Sequence, residues 1–498
     1  MRPSDPKQIV CGAALYSPGL GLLTDAGVCM SGGRILAAGT RRDLTEAYPG
    51  ATVELLSDRL LLPAMRDAHD HGRGVSPAAF GAPDCALETW IPSLGAVSSD
   101  AYLCALYDGL RLASSGVSAV LHSHNPGRWG SLDELTRTAR GYNDAGIRVV
   151  LCPPFVDQNN LIYMQRDRFA DGLCQKLRQE FGRRVCDAPM SLEQYFSQIE
   201  ALTDALSDRI ETGMVGIQLH PAGFQWVSDD ALTAMQQYAQ EHNLRIHMHM
   251  LETKYQRRWA QECFGNSGVR HLYELGLLSP RLSLAHMVWA DPDDWRLLAA
   301  HGVSVAVNSS SNLRLHSGIM PLGRALRAGV DCAIGLDGCA LDDDQDFLRE
   351  LRLTGLNASD TGVDAGIRPE TLLGMATQGG AELLDLHANG TLAPGQQADV
   401  LCIDLKRLRE PYTVPQVDPL SLLLLRGTRA AVDRLYVGGK LVVRNGKNIL
   451  TDEGFAAQRL AGFLQTQQCG ESDPTSQALV EAIRRFYRRF DENGGSSQ

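Results

Sequence analysis

Four apolar runs spread across the middle of this chain each end in histidine or aspartate, and that recurrence limits the fold more than any other feature. The first, Leu60-Leu61-Leu62-Pro63-Ala64-Met65, runs into His69-Asp70-His71. The others are Ile246-His247-Met248-His249, Leu282-Ser283-Leu284-Ala285-His286 and Ala333-Ile334-Gly335-Leu336-Asp337. In a strand, residues i and i+2 share a face, so His-x-His at a strand end offers both imidazoles to one side. If the strands all point the same way, His69, His71, His249, His286 and Asp337 meet at one end of a sheet or barrel. Helical spacing alternates with such runs: residues 100–115 precede 117–122, 229–242 precede 244–249, 291–301 precede 303–308, and 324–329 precede 330–335. Alternation over about 250 residues predicts a parallel (β/α) barrel. An open doubly wound sheet is the alternative, but no Gly-rich nucleotide loop follows any candidate strand.

The two ends read differently. Residues 7–62 are short strands punctuated by Gly and Asp, and residues 398–443 resemble them, with Gly438-Gly439 between two apolar runs as a hairpin turn. We read one β domain built from 1–62 plus 388–453, a catalytic barrel over 63–387, and a helical tail over 454–498. The tail's helical stretch, 476–490, carries Arg484, Arg485, Arg488 and Arg489, which read as a solvated face or a subunit contact. At 498 residues and 44% hydrophobic content, the chain has room for one large and one small domain. Its net charge of −11 argues against nucleic-acid and acidic-membrane partners. The 12 cysteines form no C-x-x-C pair and read as reduced core residues. Met1-Arg2-Pro3-Ser4-Asp5-Pro6 lacks a signal-peptide pattern, and no apolar run approaches the roughly 20 residues of a span. The expectation is a cytoplasmic protein with a small-molecule substrate.

Imidazoles plus one carboxylate form a borderline donor set that suits zinc or iron, with manganese a further option. One divalent metal, zinc first, is expected. Such an ion brings the pKa of bound water down to about 7, giving hydroxide at neutral pH. Glu252 stands three residues after His249 and can move a proton to a leaving group. His286 can serve the metal, or hydrogen-bond the substrate or water; Asp337 can bind metal and accept a proton. Single histidines such as His122, His124, His242, His271, His301 and His387 default to structural roles. His247 shares a face with His249 and reads as a supporting or a core residue.

In combination these segments resemble the amidohydrolase superfamily, in the branch of cytosine, guanine and S-adenosylhomocysteine deaminases and triazine hydrolases. Pro63 through His71 is similar to its strand-1 Pro…His-x-His, and His247-Met248-His249-Met250-Leu251-Glu252-Thr253 to its His-x-His-x-x-Glu-Thr. Ala285-His286-Met287-Val288-Trp289 resembles its strand-6 motif, and Asn308-Ser309-Ser310-Ser311-Asn312-Leu313-Arg314-Leu315 its Asn-rich loop. Gly335-Leu336-Asp337-Gly338 is similar to Gly-Thr-Asp-Gly. The resemblance implies a distorted (β/α)8 TIM barrel with a β-sandwich, and a homo-oligomer. It implies His69, His71, His249 and Asp337 as metal ligands, Glu252 as proton shuttle and His286 as catalytic partner. The implied reaction is hydrolytic loss of ammonia, an amine or halide from an N-heterocycle. Hydrolysis of an acyclic amide, urea or halide is one alternative, and a non-catalytic barrel with a binding or assembly role the other.

Residues 177–253 contain no Lys, so strand 4 has no carboxylated lysine to bridge two ions, which favours one metal. Asp70 should face away from the ions. Asp342, Asp343 and Asp344 read as a solvated charge run. Trp90 resembles the branch's lid tryptophan over the substrate, with core packing as the equal alternative. Gln218, His220, Gln225 and Asn312 complete the substrate-binding candidates.

Overall fold

The computed structural model describes residues 6–94, 100–124, 130–158, 161–185, 190–338, 343–359, 366–466 and 474–493. Strands β1 (Gln8–Ser17), β2 (Gly21–Ser31), β3 (Arg34–Thr40) and β4 (Thr52–Pro63) come first. The middle contributes β5 (Met65–Asp70), β6 (Val117–Ser123), β7 (Arg148–Cys152), β8 (Pro154–Phe155) and β9 (Val215–Ile217). It continues with β10 (His220–Pro221), β11 (Ile246–Met250), β12 (Leu282–His286), β13 (Ser304–Val307) and β14 (Cys332–Ile334). Last come β15 (Val400–Asp404), β16 (Val432–Val437), β17 (Lys440–Arg444) and β18 (Lys447–Asn448).

Both chain ends enter one eight-stranded sheet, ordered β18-β17-β16-β15-β4-β1-β2-β3. Its seam is the antiparallel pair β4 and β15, with Leu61 opposite Cys402. The sheet curls back on itself: Ile35 N–H donates to the Gln396 carbonyl and Ala398 N–H to the Gly33 carbonyl. Val10, Val28, Ile35, Leu61, Val400 and Tyr436 fill the space enclosed. Gly438 and Gly439, at φ 55° and 72°, make the turn expected between β16 and β17.

The middle forms two parallel ladders, β5-β6-β7-β9 and β11-β12-β13-β14. A bridge between Leu219 and Ile246 joins them on one side. On the other, Asp337 N–H donates to the His69 carbonyl at 2.8 Å. Eight strands thus close into a distorted (β/α)8 barrel. Every residue of β5, β6, β7, β11 and β12 is buried, as expected of parallel strands covered by helices. The helices stand where spacing placed them: Ala101–Ser114 capped by Asp100, Asp229–Glu241 capped by Ser228, and Pro292–Ala300 opened by an Asp291/Asp294 capping box.

Ala68, Ala119, Ala285, Ala306 and Ala333 are small enough for Leu383, Leu384 and Leu386 to pack among them. The segment bearing those leucines begins against Arg66 and Cys332, near the starts of β5 and β14, so it closes the floor. There Asp399 faces Arg66 at 3.4 Å and Arg148 at 2.5 Å, and accepts the Gly438 N–H at 2.8 Å. All three charged side chains are buried, tying the barrel floor to the β domain. Asp399→Asn leaves two guanidiniums without their counter-charge, and breaking such a buried pair costs about 3–5 kcal/mol. Urea unfolding should read a loss of that size; a change under about 1 kcal/mol would contradict this account.

The tail carries helices Glu453–Thr466 and Pro474–Asn493. Arg485, Arg488 and Arg489 are exposed, but the opposite face buries Leu479, Ile483 and Tyr487, so a solvated face describes half of the helix. Among the described residues, no helix is long and apolar enough to cross a membrane.

Candidate functional site

At the C-terminal ends of the barrel strands, one donor atom each from His69, His71, His249 and Asp337 lies within 4.8 Å of the others, all four residues buried. His69 and His71 Nε2 approach Asp337 Oδ1 at 3.2 and 3.0 Å. The Nδ1 atoms are committed elsewhere. His71 Nδ1 meets the Ser123 carbonyl at 2.8 Å and His249 Nδ1 the Ala222 carbonyl at 2.6 Å. A carbonyl only accepts, so each Nδ1 is protonated and each Nε2 keeps its lone pair. His69 Nδ1 pairs with His247 Nε2 at 2.8 Å, and His247 Nδ1 with Ser283 Oγ at 2.8 Å. His247 is therefore the support that orients a ligand candidate.

Burial lowers the pKa of His69, His71 and His249, with His71 at about 4 and Arg73 the second cause there. Neutral imidazoles are the form a metal needs. Burial alone would raise Asp337, but the facing rings of His69 and His71 outweigh it and hold the carboxyl well below its usual range. His69 Nε2 is buried without a hydrogen-bond partner. Three oriented lone pairs and one carboxylate fit a divalent ion with borderline preference.

Next to this group stands His286, its ring 5.4 Å from that of His249. His286 Nδ1 meets Asn312 Oδ1 at 2.8 Å. Its Nε2 faces Glu252 Oε2 at 3.7 Å and Asp337 Oδ2 at 3.8 Å. Burial pushes Glu252 up to about 7, despite a Ser317 hydroxyl donating to it at 3.3 Å. Ser311 Oγ donates to Asp337 Oδ2. The strand ends are bent to achieve this: Leu251, His286, Met287 and Asp337 have φ of 49°, 78°, 50° and 59°. Such conformations cost about 1–3 kcal/mol each and cluster where function holds them.

The substrate-binding candidates divide. Trp90 is buried against Leu87 and Leu315, and the Arg73 guanidinium lies over its ring, 5.2 Å away. Arg73 Nη1 also donates to the Asp337 carbonyl at 3.3 Å, so Trp90 borders the cluster. His220 has its ring 5.5 Å from His249. Its Nδ1 donates to the His247 carbonyl, and its Nε2 accepts from Ser123 Oγ. Both nitrogens are taken within the protein. Asn312 orients His286. Gln218 does not join the site: its amide donates to the carbonyls of Leu383 and Leu384 in the floor segment. Gln225 is buried, with Nε2 lacking a partner. Asp70 accepts from Gly72 N–H and Gln345, outside the donor group, as strand alternation required. Asp343 and Asp344 pair with Arg314 and Arg349; Asp342 lies outside the described residues.

Sequence reasoning missed Arg73, two positions past His71, and Glu88, two before Trp90. Glu88 is buried and donated to by Thr253 Oγ1; burial pushes its carboxyl up to about 8. Between pH of about 4.5 and 8 the folded chain keeps a proton here that the unfolded chain releases. The stability this gives is complete at the acid end and lost as pH rises through about 8. Glu88→Gln removes that dependence, so the variant should gain on the parent by more than about 1 kcal/mol between pH ~5 and ~9. Melting curves across that range read it; a difference independent of pH would refute the assignment.

Residues 60–442 match the amidohydrolase family. The chain belongs to that family. Among curated relatives, this amidohydrolase is 32% identical over 246 residues to a 5-methylthioadenosine/S-adenosylhomocysteine deaminase of Pyrococcus abyssi, covering 49% of this chain and 57% of the relative. It is 25% identical over 450 residues to a 5'-deoxyadenosine deaminase of Methanothermobacter thermautotrophicus, covering 88% and 95%. Its fold is shared with an adenosine deaminase from Xanthomonas campestris solved with bound zinc. There the TM-score is 0.76 at 24% identity, over 93% of this chain and 100% of that one.

Proposed function

We propose that this amidohydrolase hydrolytically deaminates an aminated N-heterocycle, with an adenine-type nucleoside as the substrate class. Ring-bound NH2 plus water becomes ring carbonyl plus ammonia. The observation carrying the reading is Glu252, poised near neutrality by burial beside His286 and one strand-end turn beyond His249. A carboxyl with that pKa both takes and returns a proton at working pH. His69, His71, His249 and Asp337 would hold the metal, with zinc the ion their donor chemistry favours. When bound, it supplies Lewis-acid activation of water. Glu252 carries the proton to the departing nitrogen. His286, its Nδ1 held by Asn312, offers Nε2 beside both carboxylates to steady charge on the reacting ring. Asp337 Oδ2 is the second proton acceptor, fixed by Ser311. The heterocycle preference comes from the relatives, whose own names specify deoxyadenosine- and methylthioadenosine-type substrates. A cytoplasmic homo-oligomer completes the reading.

The test is ammonia release by zinc-reconstituted protein across purine nucleosides, free purines, pyrimidines, pterins and triazines. Stoichiometric ammonia from an adenine-type nucleoside is expected. No ammonia from any ring, alongside hydrolysis of acyclic amides, would overturn the proposal.

A further inference from the structure

The C-terminal helix Pro474–Asn493 lies beyond residue 442, where the family match ends, yet it packs over the catalytic mouth of the barrel. Leu479, Ile483 and Tyr487 repeat every four residues and bury one face. That face meets Leu161, Ile162, Phe169, Phe181, Val185 and Tyr255. It touches segments leaving three different strand ends. After β5 it packs on the helical turns Leu87–Trp90 and Ile91–Ser93. After β7 and β8, Tyr487 OH donates to the Leu161 carbonyl at 3.1 Å and accepts from Tyr163 N–H at 3.4 Å. After β11, directly past Glu252 and Thr253, Asp491 pairs with Lys254 Nζ at 2.7 Å and accepts from Tyr255 OH at 2.9 Å. Arg184 ties the first segment to the helix start, donating to the Pro92 carbonyl and to Ser476 Oγ.

These segments and the turn Phe224–Trp226 after β10 carry a set of buried polar atoms that the catalytic group does not use. Glu88 Oε2, Tyr163 OH, Gln225 Nε2 and Trp226 Nε1 are all buried with no partner elsewhere among the described residues, Tyr163 lying between Glu88 and Gln225. Trp226 packs with Tyr163 and Ile91, and its ring lies 6.4 Å from that of His249. Burial first, and the Glu88 carboxylate second, push the phenols of Tyr163 and Tyr487 up, so the three groups neighbour one another. Several buried polar groups with no partner outside their own set, collected beside the catalytic carboxylate, are what a polar ligand substituent engages on binding.

We propose that this helix is a specificity-determining wall of the substrate chamber, acting through Tyr487, which positions the Leu161–Tyr163 segment so that Tyr163 faces Glu88. Tyr487 is a positioning residue: it acts on the part of the substrate beyond the reacting ring, not on the reacting atoms. The inference rests on the deaminase reading, and it has one readout that does not.

Tyr487→Phe in the full-length, zinc-loaded protein loses both hydrogen bonds while keeping the ring. KM for an adenine-type nucleoside should rise about tenfold with kcat held within about twofold. KM for the free base, which lacks the substituent, should stay put. A general loss of structure would move both substrates together, and that result would overturn the proposal. Hydrogen exchange needs no turnover. Backbone amides in 161–163 and 87–93 should exchange faster in the variant, with β11 and β12 unchanged. Faster exchange confined to the helix itself would overturn the proposal even if the protein proved not to be a deaminase. Wild-type protein that releases no ammonia, with Tyr487→Phe still speeding exchange in 161–163 and 87–93, would overturn the functional reading and leave this one standing.

Discussion

Glu252→Gln should retain its metal and lose most of its turnover. The amide is nearly the same size as the carboxyl, and Ser317 Oγ can still donate to its oxygen. It cannot accept and return a proton near pH 7, and positioned acid–base groups are worth about 10²–10⁴ in rate. Because Glu252 is not among the four clustered donors, metal content measured by elemental analysis should stay at the wild-type level. A fall of kcat by about 10³ with unchanged metal is therefore the expected pairing. A variant with wild-type turnover would remove Glu252 as the proton carrier, and one that also lost the metal would place the carboxylate in the donor set instead.

Asp337→Asn should fail in the opposite order, metal first. The carboxylate is the only anion in the donor group, and both His69 and His71 approach its Oδ1. A neutral amide in its place leaves three imidazoles to hold a dication. Weakening of metal affinity should exceed the 10–100-fold typical of losing an outer-shell partner, and kcat at sub-saturating metal should fall by on the order of 10³. Adding excess zinc should recover part of the activity, which it cannot do for Glu252→Gln. Equal metal affinity in variant and parent would show that Asp337 is not a ligand. The two variants together separate the holding of the ion from the handling of the proton.

Much of the barrel was readable because it rests on local rules. Apolar runs ending in His or Asp mark the strand ends, and helical spacing over 100–115, 229–242 and 291–301 marks the helices that begin at Ala101, Asp229 and Pro292. The cluster of His69, His71, His249 and Asp337 follows from strand alternation plus a common direction. What escaped depends on contacts distant in sequence. Gln218 reads as a substrate-binding candidate because it shares a segment with His220 and Gln225, but the leucine segment closing the floor offers it two carbonyls. Nothing near residue 218 announces residues 383 and 384. Glu88 was passed over for the neighbouring tryptophan, since its burial depends on Thr253 and the segments around it. The helix at 474–493 showed its arginines plainly, while its buried face needed a docking surface assembled from three separate segments. The left-handed turns at His286 and Asp337 leave only a weak signature in residue type, since His and Asp enter that region more often than most side chains but usually lie elsewhere.

The seam between β4 and β15 also orders events in time. Leu61 pairs with Cys402, so the two halves of that ladder are separated by the whole barrel. Loop-closure entropy makes such a contact costly until the intervening chain is compact. On a ribosome releasing residues from the N-terminus, β1 to β4 emerge with both sheet edges, at β4 and at β3, lacking the partners that residues 396–404 bring later. The barrel must gather before β15 can dock. The Asp399 carboxylate that meets Arg66 and Arg148 arrives with that last strand, so this junction forms only once both parts exist. Refolding should accordingly show an early phase in barrel helicity and a later one that buries the β4–β15 seam.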